Sequence, residues 1–132
     1  MIVLPLQRAT HVVGLGLERR RVAPTQAEAH VLAHLAEHAE LSVRELQRRA
    51  VFRPSTLTAV IDRLESRDLV RRATNPRDRR STVVRLTPRG RTAAGRVART
   101  IADVDARIRE RVGADDAAAF GRVLAAIEEE LA

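Results

Sequence analysis

The chain has no cysteine, lysine, tryptophan or tyrosine, and only two phenylalanines, Phe52 and Phe120. Without cysteine there is no disulfide, no thiolate-bound zinc and no thiol redox sensor, so nothing demands an oxidising compartment. Two aromatics are too few for the stacking platforms that hold single-stranded nucleic acid. Long apolar runs are missing too. The longest, Val12 to Leu17, falls far short of the ~20 residues of a membrane span, and no basic segment precedes an apolar one at the N-terminus. These absences predict a cytoplasmic protein with no membrane role. Catalytic signatures are equally scarce. Val31, not glutamate, follows His30, so no His-Glu-x-x-His zinc helix exists. No Gly-x-Ser-x-Gly elbow or phosphate loop occurs, and Gly14-Leu15-Gly16 follows no strand and lacks a third glycine at the right spacing. Neither an enzyme nor a cofactor is expected.

What the sequence does have is arginine. All 24 basic residues are arginine, against 17 acids, giving a net charge of +7 over 132 residues. That length predicts a single domain able to bury roughly two thirds of its unfolded surface. The charge is uneven. Residues 1–40 carry 4 arginines and 4 acids, residues 41–91 carry 14 and 5, and residues 92–132 carry 6 and 8. The middle third therefore holds the whole excess, the electrostatic footprint of a polyanion site, and the scarcity of aromatics favours duplex DNA over single strands. With no lysine anywhere, the clustering says more than the choice of arginine at any one position.

Two capping boxes of the form S/T-x-x-E, Thr25 with Glu28 and Ser42 with Glu45, announce helix starts. The first helix places Ala27, Val31, Leu32 and Leu35 at helical spacing; the second, SVRELQRRA, turns Val43, Leu46 and Ala50 inward. A third begins near Arg53 with Pro54 at its first position and an apolar stripe of Leu57, Val60, Ile61 and Leu64. Only about three residues separate these last two, which predicts a helix-turn-helix. After Arg67 the period falls from 3.6 to 2, so LVRRAT and STVVRLT read as strands joined by a turn at Asn75-Pro76. Thr87 then caps a long helix with Pro88 at its first position and Val97, Ile101, Val104, Ile108 and Val112 along one side. Gly113 should end it, and Asp115 or Asp116 should cap a final helix bearing Phe120, Leu124, Ile127 and Leu131. Residues 6–21 are expected to be helical as well.

In this order, PSTLTAVIDRLESRDLVRR, NPRDRRSTVVRL and LTPRG resemble the MarR family of bacterial winged helix-turn-helix transcription regulators, over residues 24–90 and by order and length in the flanking helices. The resemblance implies a mainly α fold with a small antiparallel β-hairpin wing. Residues 24–87 would form the DNA-binding lobe, and residues 1–23 and 88–132 the dimerisation helices. Two positions depart from the family pattern. Asp68 stands where glycine is usual before the first wing strand, and aspartate tolerates the left-handed conformation that position needs. Asn75 replaces the aspartate that usually precedes the wing proline.

Helix 54–67 would enter the major groove, with Ser55, Thr56, Thr58, Ala59, Asp62 and Arg63 on its open face, where short polar side chains and methyls can approach base edges. The resemblance makes residues 74–81 a minor-groove wing in which Asp78 orients Arg80, with Arg77 and Arg79 adding phosphate or groove-edge contacts. Arg53 and the backbone contacts Arg44, Arg48 and Arg49 would set register without reading sequence. The implied partners are double-stranded DNA carrying an inverted repeat and a second copy of the chain. The implied function is a regulator, a repressor by the family's habit, released by a small molecule. Its site would be a mainly aliphatic cleft, with His11, His30 or an arginine as anion partner. Two other readings compete. His30, His34 and His38 fall on one helical face near Glu37, a spacing that can share zinc in a metal-responsive regulator. A winged helix can also serve protein contacts alone, against which the charge excess of the middle third argues.

Overall fold

The computed structural model describes residues 1–21 and 23–132, in the order α1 (Val3–Arg19), α2 (Gln26–His38), β1 (Glu40–Ser42), α3 (Val43–Ala50), α4 (Pro54–Ser66), β2 (Val70–Asn75), β3 (Asp78–Leu86), α5 (Pro88–Val112) and α6 (Ala114–Leu131). The contacts divide the chain into two compact units, residues 1–100 and residues 101–132. No helix among the described residues is long and apolar enough to cross a membrane.

The first unit is built on the apolar stripes the sequence displays. Val31, Leu32 and Leu35 of α2, Leu46 of α3, and Leu57, Val60, Ile61 and Leu64 of α4 are all almost completely buried, and Val70, Val84 and Leu86 of the sheet and Ala94 and Val97 of α5 close the same core. Each such side chain contributes about 1.5–3 kcal/mol by leaving water. The helix ends follow local chemistry. Ser42 and Glu45 form a complete capping box, each satisfying the other's backbone amide. Pro54 occupies the first turn of α4, where its missing N–H costs nothing. Thr87 opens α5: its hydroxyl accepts from the Gly90 N–H at 2.9 Å and donates to the Asp68 carbonyl at 2.6 Å.

The structure departs from the sequence reading in four places. The hairpin is part of a three-stranded antiparallel sheet of order β1-β3-β2, in which Leu41 pairs with Val84 and β2 with β3 from Val70↔Leu86 to Thr74↔Thr82. β1 is three residues long with one buried side chain, too short to show a period of two. Glu28 does not complete its capping box. Thr25 accepts from the Glu28 N–H at 3.1 Å, but the Glu28 carboxylate turns inward to two arginines. Neither Asp115 nor Asp116 caps the last helix. Gly113, at a φ of 84°, ends α5 and is itself the cap of α6, which puts both aspartates in the first turn, where they favour the positive end of the helix dipole. α1 begins at Val3 rather than near residue 6.

The second unit, residues 101–132, buries no residue of α6. Ile108 and Phe120 are 51% and 54% exposed. In the first unit, α1 likewise leaves Leu4, Val12 and Val13 in solvent.

Candidate nucleic-acid interface

α3 and α4 are joined by Val51, Phe52 and Arg53. Val51 takes a left-handed conformation, φ 54°, that a β-branched residue rarely adopts, and so turns the chain within three residues. With Leu57, Val60, Ile61 and Leu64 anchored in the core, the outer face of α4 carries Ser55, Thr56, Thr58 and Ala59, all exposed. The Thr58 hydroxyl donates to the Pro54 carbonyl at 2.9 Å, which leaves its lone pairs able to accept. These four residues give the first turns of α4 a surface of short side chains.

At the far end of the sheet, the turn from β2 to β3 is set by two side chains that fold back on their own backbone. Asn75 Oδ1 accepts from the Arg77 N–H and Asp78 Oδ1 from the Arg80 N–H, both at 3.0 Å. Asp78 thus fixes the backbone that carries Arg80; a carboxylate two residues before an amide closes this local ring readily. A register shift between Thr74 and Asn75 marks where the ladder gives way to the turn. Arg77, Arg79 and Arg80 are all exposed.

The arginines of residues 24–87 fall into two groups. Arg63, Arg67, Arg71, Arg72 and Arg85 are committed to carboxylates. Among the described residues, no ion pair engages Arg44, Arg48, Arg49, Arg53, Arg77, Arg79 or Arg80. These seven lie on α3, at the start of α4, in the turn (Arg77) and at the start of β3 (Arg79 and Arg80). Arg63 belongs to the other group: its Nε donates to Glu28 at 3.0 Å, because a carboxylate buried to 1% exposure needs a cation more than the outer face of α4 does. Asp62 and Glu65 bind Arg72 of β2 and so fasten the wing's first strand to α4. Asp68 takes the left-handed conformation expected of it, φ 58°.

The histidines of α2 form an aromatic cluster. His30 and His34 stack with ring centres 5.0 Å apart, and Phe52 meets His30 edge-on at 5.5 Å. Burial, and then His34, hold the pKa of His30 below its ordinary 6.5. For His34, burial acts first in the same direction; Glu37 opposes it, and Arg49 and His38 add to it. The His34 Nε2 atom is buried without a hydrogen-bond partner among the described residues. No group of three or more histidine, cysteine or acidic side chains among the described residues is arranged to hold a metal ion.

A cavity of about 400 Å³ opens beside α4 and the start of β2, lined by Arg21, Arg67, Arg96, Glu18, Leu32 and Leu69 among others. Its lining combines three arginines and one glutamate with apolar residues. Neither His11 nor His30 lines it. Glu28 and Arg67 escaped the sequence reading, although Glu28 shares the helical face of Val31 and Leu32, a signal that a capping role alone does not explain.

Residues 25–82 match the MarR family. The match covers 58 of the 132 residues. Members of the MarR family are DNA-binding transcription regulators rather than enzymes. Among curated proteins, the chain is similar to the HTH-type transcriptional repressor MdtR of Bacillus subtilis, 39% identical over 74 residues that cover 56% of the chain and 46% of MdtR. It spans about half the length of the curated relatives it matches. Among solved structures it resembles the transcriptional repressor CouR bound to a 23-mer DNA duplex, with a TM-score of 0.81 and 28% identity over 97% of this chain and 92% of CouR. It also resembles the PcaV regulator of Streptomyces coelicolor in complex with its natural ligand, with a TM-score of 0.77 and 25% identity over 94% and 89% of the two chains.

Proposed function

We propose that the chain is a dimeric, sequence-specific regulator of transcription that binds double-stranded DNA and acts as a repressor released by a small molecule. One observation carries this reading: the seven arginines without carboxylate partners flank a short-side-chain helix face and tip a wing, while the arginines elsewhere in the lobe are neutralised by acids. In this reading α4 lies in the major groove, with Ser55, Thr56, Thr58 and Ala59 against base edges. The turn from residue 74 to 81 enters the minor groove through Arg77, Arg79 and Arg80, where a narrow groove concentrates negative potential. Arg44, Arg48, Arg49 and Arg53 hold phosphates and set the register. Arg63 contributes indirectly, by holding α4 to α2. The apolar side chains exposed on α1, and separately those of residues 101–132, are covered by a second copy, and a twofold dimer calls for an inverted-repeat operator. MdtR and CouR are named as repressors and PcaV was solved with its ligand. By analogy, the arginine-lined cavity serves an effector. Duplex binding would place the protein in the cytoplasm.

The test is fluorescence anisotropy with a labelled random 30-mer duplex over a series of salt concentrations, alongside analytical ultracentrifugation. Nonspecific binding that weakens steeply with salt, by a sedimenting dimer, is the expected result. Salt-independent binding, no binding, or a monomer with full affinity would overturn the reading. A winged helix used only for protein contacts would give no duplex binding in the same titration.

A further inference from the structure

Arg72 of β2 binds two acids of α4, the helix whose outer face carries Ser55 and Ala59. Its Nη1 donates to Glu65 Oε1 at 2.8 Å and its Nη2 to Asp62 Oδ1 at 2.5 Å. The second oxygen of Glu65 accepts from the Arg72 backbone N–H at 3.0 Å. β2 is an edge strand of the β1-β3-β2 sheet, so one carboxylate of α4 both satisfies an amide of that edge and grips the guanidinium. With its side chain 29% exposed, Arg72 is the most enclosed of the ion-paired arginines among the described residues. The ladder from Val70↔Leu86 to Thr74↔Thr82 carries β2 and β3 as one ribbon from this clamp to the turn that bears Arg77, with Arg79 and Arg80 at the start of β3.

Resting on the reading of α4 and residues 74–81 as DNA contacts, we propose that Arg72 is a positioning residue, which locks the hairpin to α4 at the spacing that lets the major and minor grooves be entered together. A wing held in place meets its groove as soon as α4 is seated, because the second contact is then intramolecular. A hairpin free to swing loses conformational entropy each time it enters, which offsets much of the affinity that Arg80 carries. The fork suits arginine to this task. A planar guanidinium holds two carboxylates at once, and neither an amide nor an ammonium does so with the same geometry. A rival role is charge alone. Asp62 lies seven residues beyond Ser55 and three beyond Ala59, on the same face of α4, where Arg72 keeps its charge from repelling phosphates. The two roles part at Glu65. Removing its negative charge strengthens DNA binding if charge is all that matters, and weakens it if the wing must be held.

The experiment is a double-mutant cycle read by fluorescence anisotropy on a labelled duplex that the wild-type chain selects from a randomised pool, with circular dichroism and a urea melt to check that each variant is folded. The chains are the wild type, R80A, R72Q, E65Q, R72Q/R80A and E65Q/R80A. R80A and R72Q should each weaken binding about ten-fold, and R72Q/R80A should bind within about two-fold of R72Q, because a wing that is no longer placed has little left to lose. Costs that multiply, to about a hundred-fold for R72Q/R80A, mark a merely structural arginine and overturn the inference. In E65Q the glutamine turns an N–H toward a donor where Glu65 has an acceptor, so binding should weaken and the cost of R80A should again vanish. Tighter binding by E65Q overturns the inference in favour of charge alone, and the E65Q cycle decides the matter if R72Q fails to fold. Selection of no sequence from the pool, or R80A binding as well as the wild type, overturns the DNA reading and the inference with it; multiplying costs overturn the inference alone.

Discussion

Gly90 offers the sharpest test of how the wing is held to the rest of the lobe. It lies in the first turn of α5, against the Leu69 backbone, and a methyl group added there would fall inside the Leu69 carbonyl oxygen and 2.7 Å from its carbon. The oxygen, only 1.7 Å away, is the limiting contact, so the backbone must yield by more than an ångström. What yields is rigid on both sides. The same carbonyl accepts from Thr87 N–H at 3.1 Å, and the Gly90 N–H donates to the Thr87 hydroxyl at 2.9 Å. Losing or stretching these two bonds costs about 1 kcal/mol each. Overpacking adds about 1–3 kcal/mol. Alanine's better helix propensity returns at most about 1 kcal/mol. Gly90→Ala should therefore destabilise the chain by about 2–4 kcal/mol in urea unfolding. Gly121→Ala, the same chemical change at a helical glycine with nothing within 4 Å of the added carbon, should be neutral or stabilising by up to about 1 kcal/mol. A Gly90→Ala chain as stable as the wild type would refute the tight joint.

Three further outcomes are expected. Arg80→Ala should weaken duplex binding and reduce the salt slope by about one while circular dichroism is unchanged; equal affinity at several salt concentrations would remove the wing from the interface. Ser42→Ala should cost about 1 kcal/mol, since it removes one half of a complete capping box, and a loss below the error of a urea melt would contradict that assignment. Because His30 and His34 bind protons less readily folded than unfolded, stability should be full above the ordinary value of 6.5 and fall as pH drops below it, where only the unfolded chain takes up protons. His34→Gln should flatten that fall between about pH 6.5 and 5, above the ordinary range of carboxylates; an unaltered profile would assign the pH dependence elsewhere.

What the sequence revealed and what it hid divide along one physical line. The apolar stripes of α2 and α4, the Ser42–Glu45 box, the Thr87-Pro88 start and the left-handed Asp68 are local, each set by residues within a turn of one another, and each stands in the structure as the sequence implied. β1 was missed because three residues carry no period; its place depends on Leu41 finding Val84, more than forty residues away. The fate of the charges was hidden for the same reason. Fourteen arginines in the middle third announce a polyanion site, but only the fold separates Arg63 and Arg67, drawn to the buried carboxylate of Glu28, from Arg79 and Arg80, which meet no acid among the described residues. Glu28 reads as a cap by its spacing from Thr25 and as a core residue by its spacing from Val31 and Leu32. The core wins, because two guanidinium groups stabilise a buried carboxylate more than the single N-cap amide it would otherwise accept from. That choice, made by residues 35 and 39 positions away, puts a buried ion-pair cluster between α2 and α4 rather than a second capping box at the start of α2.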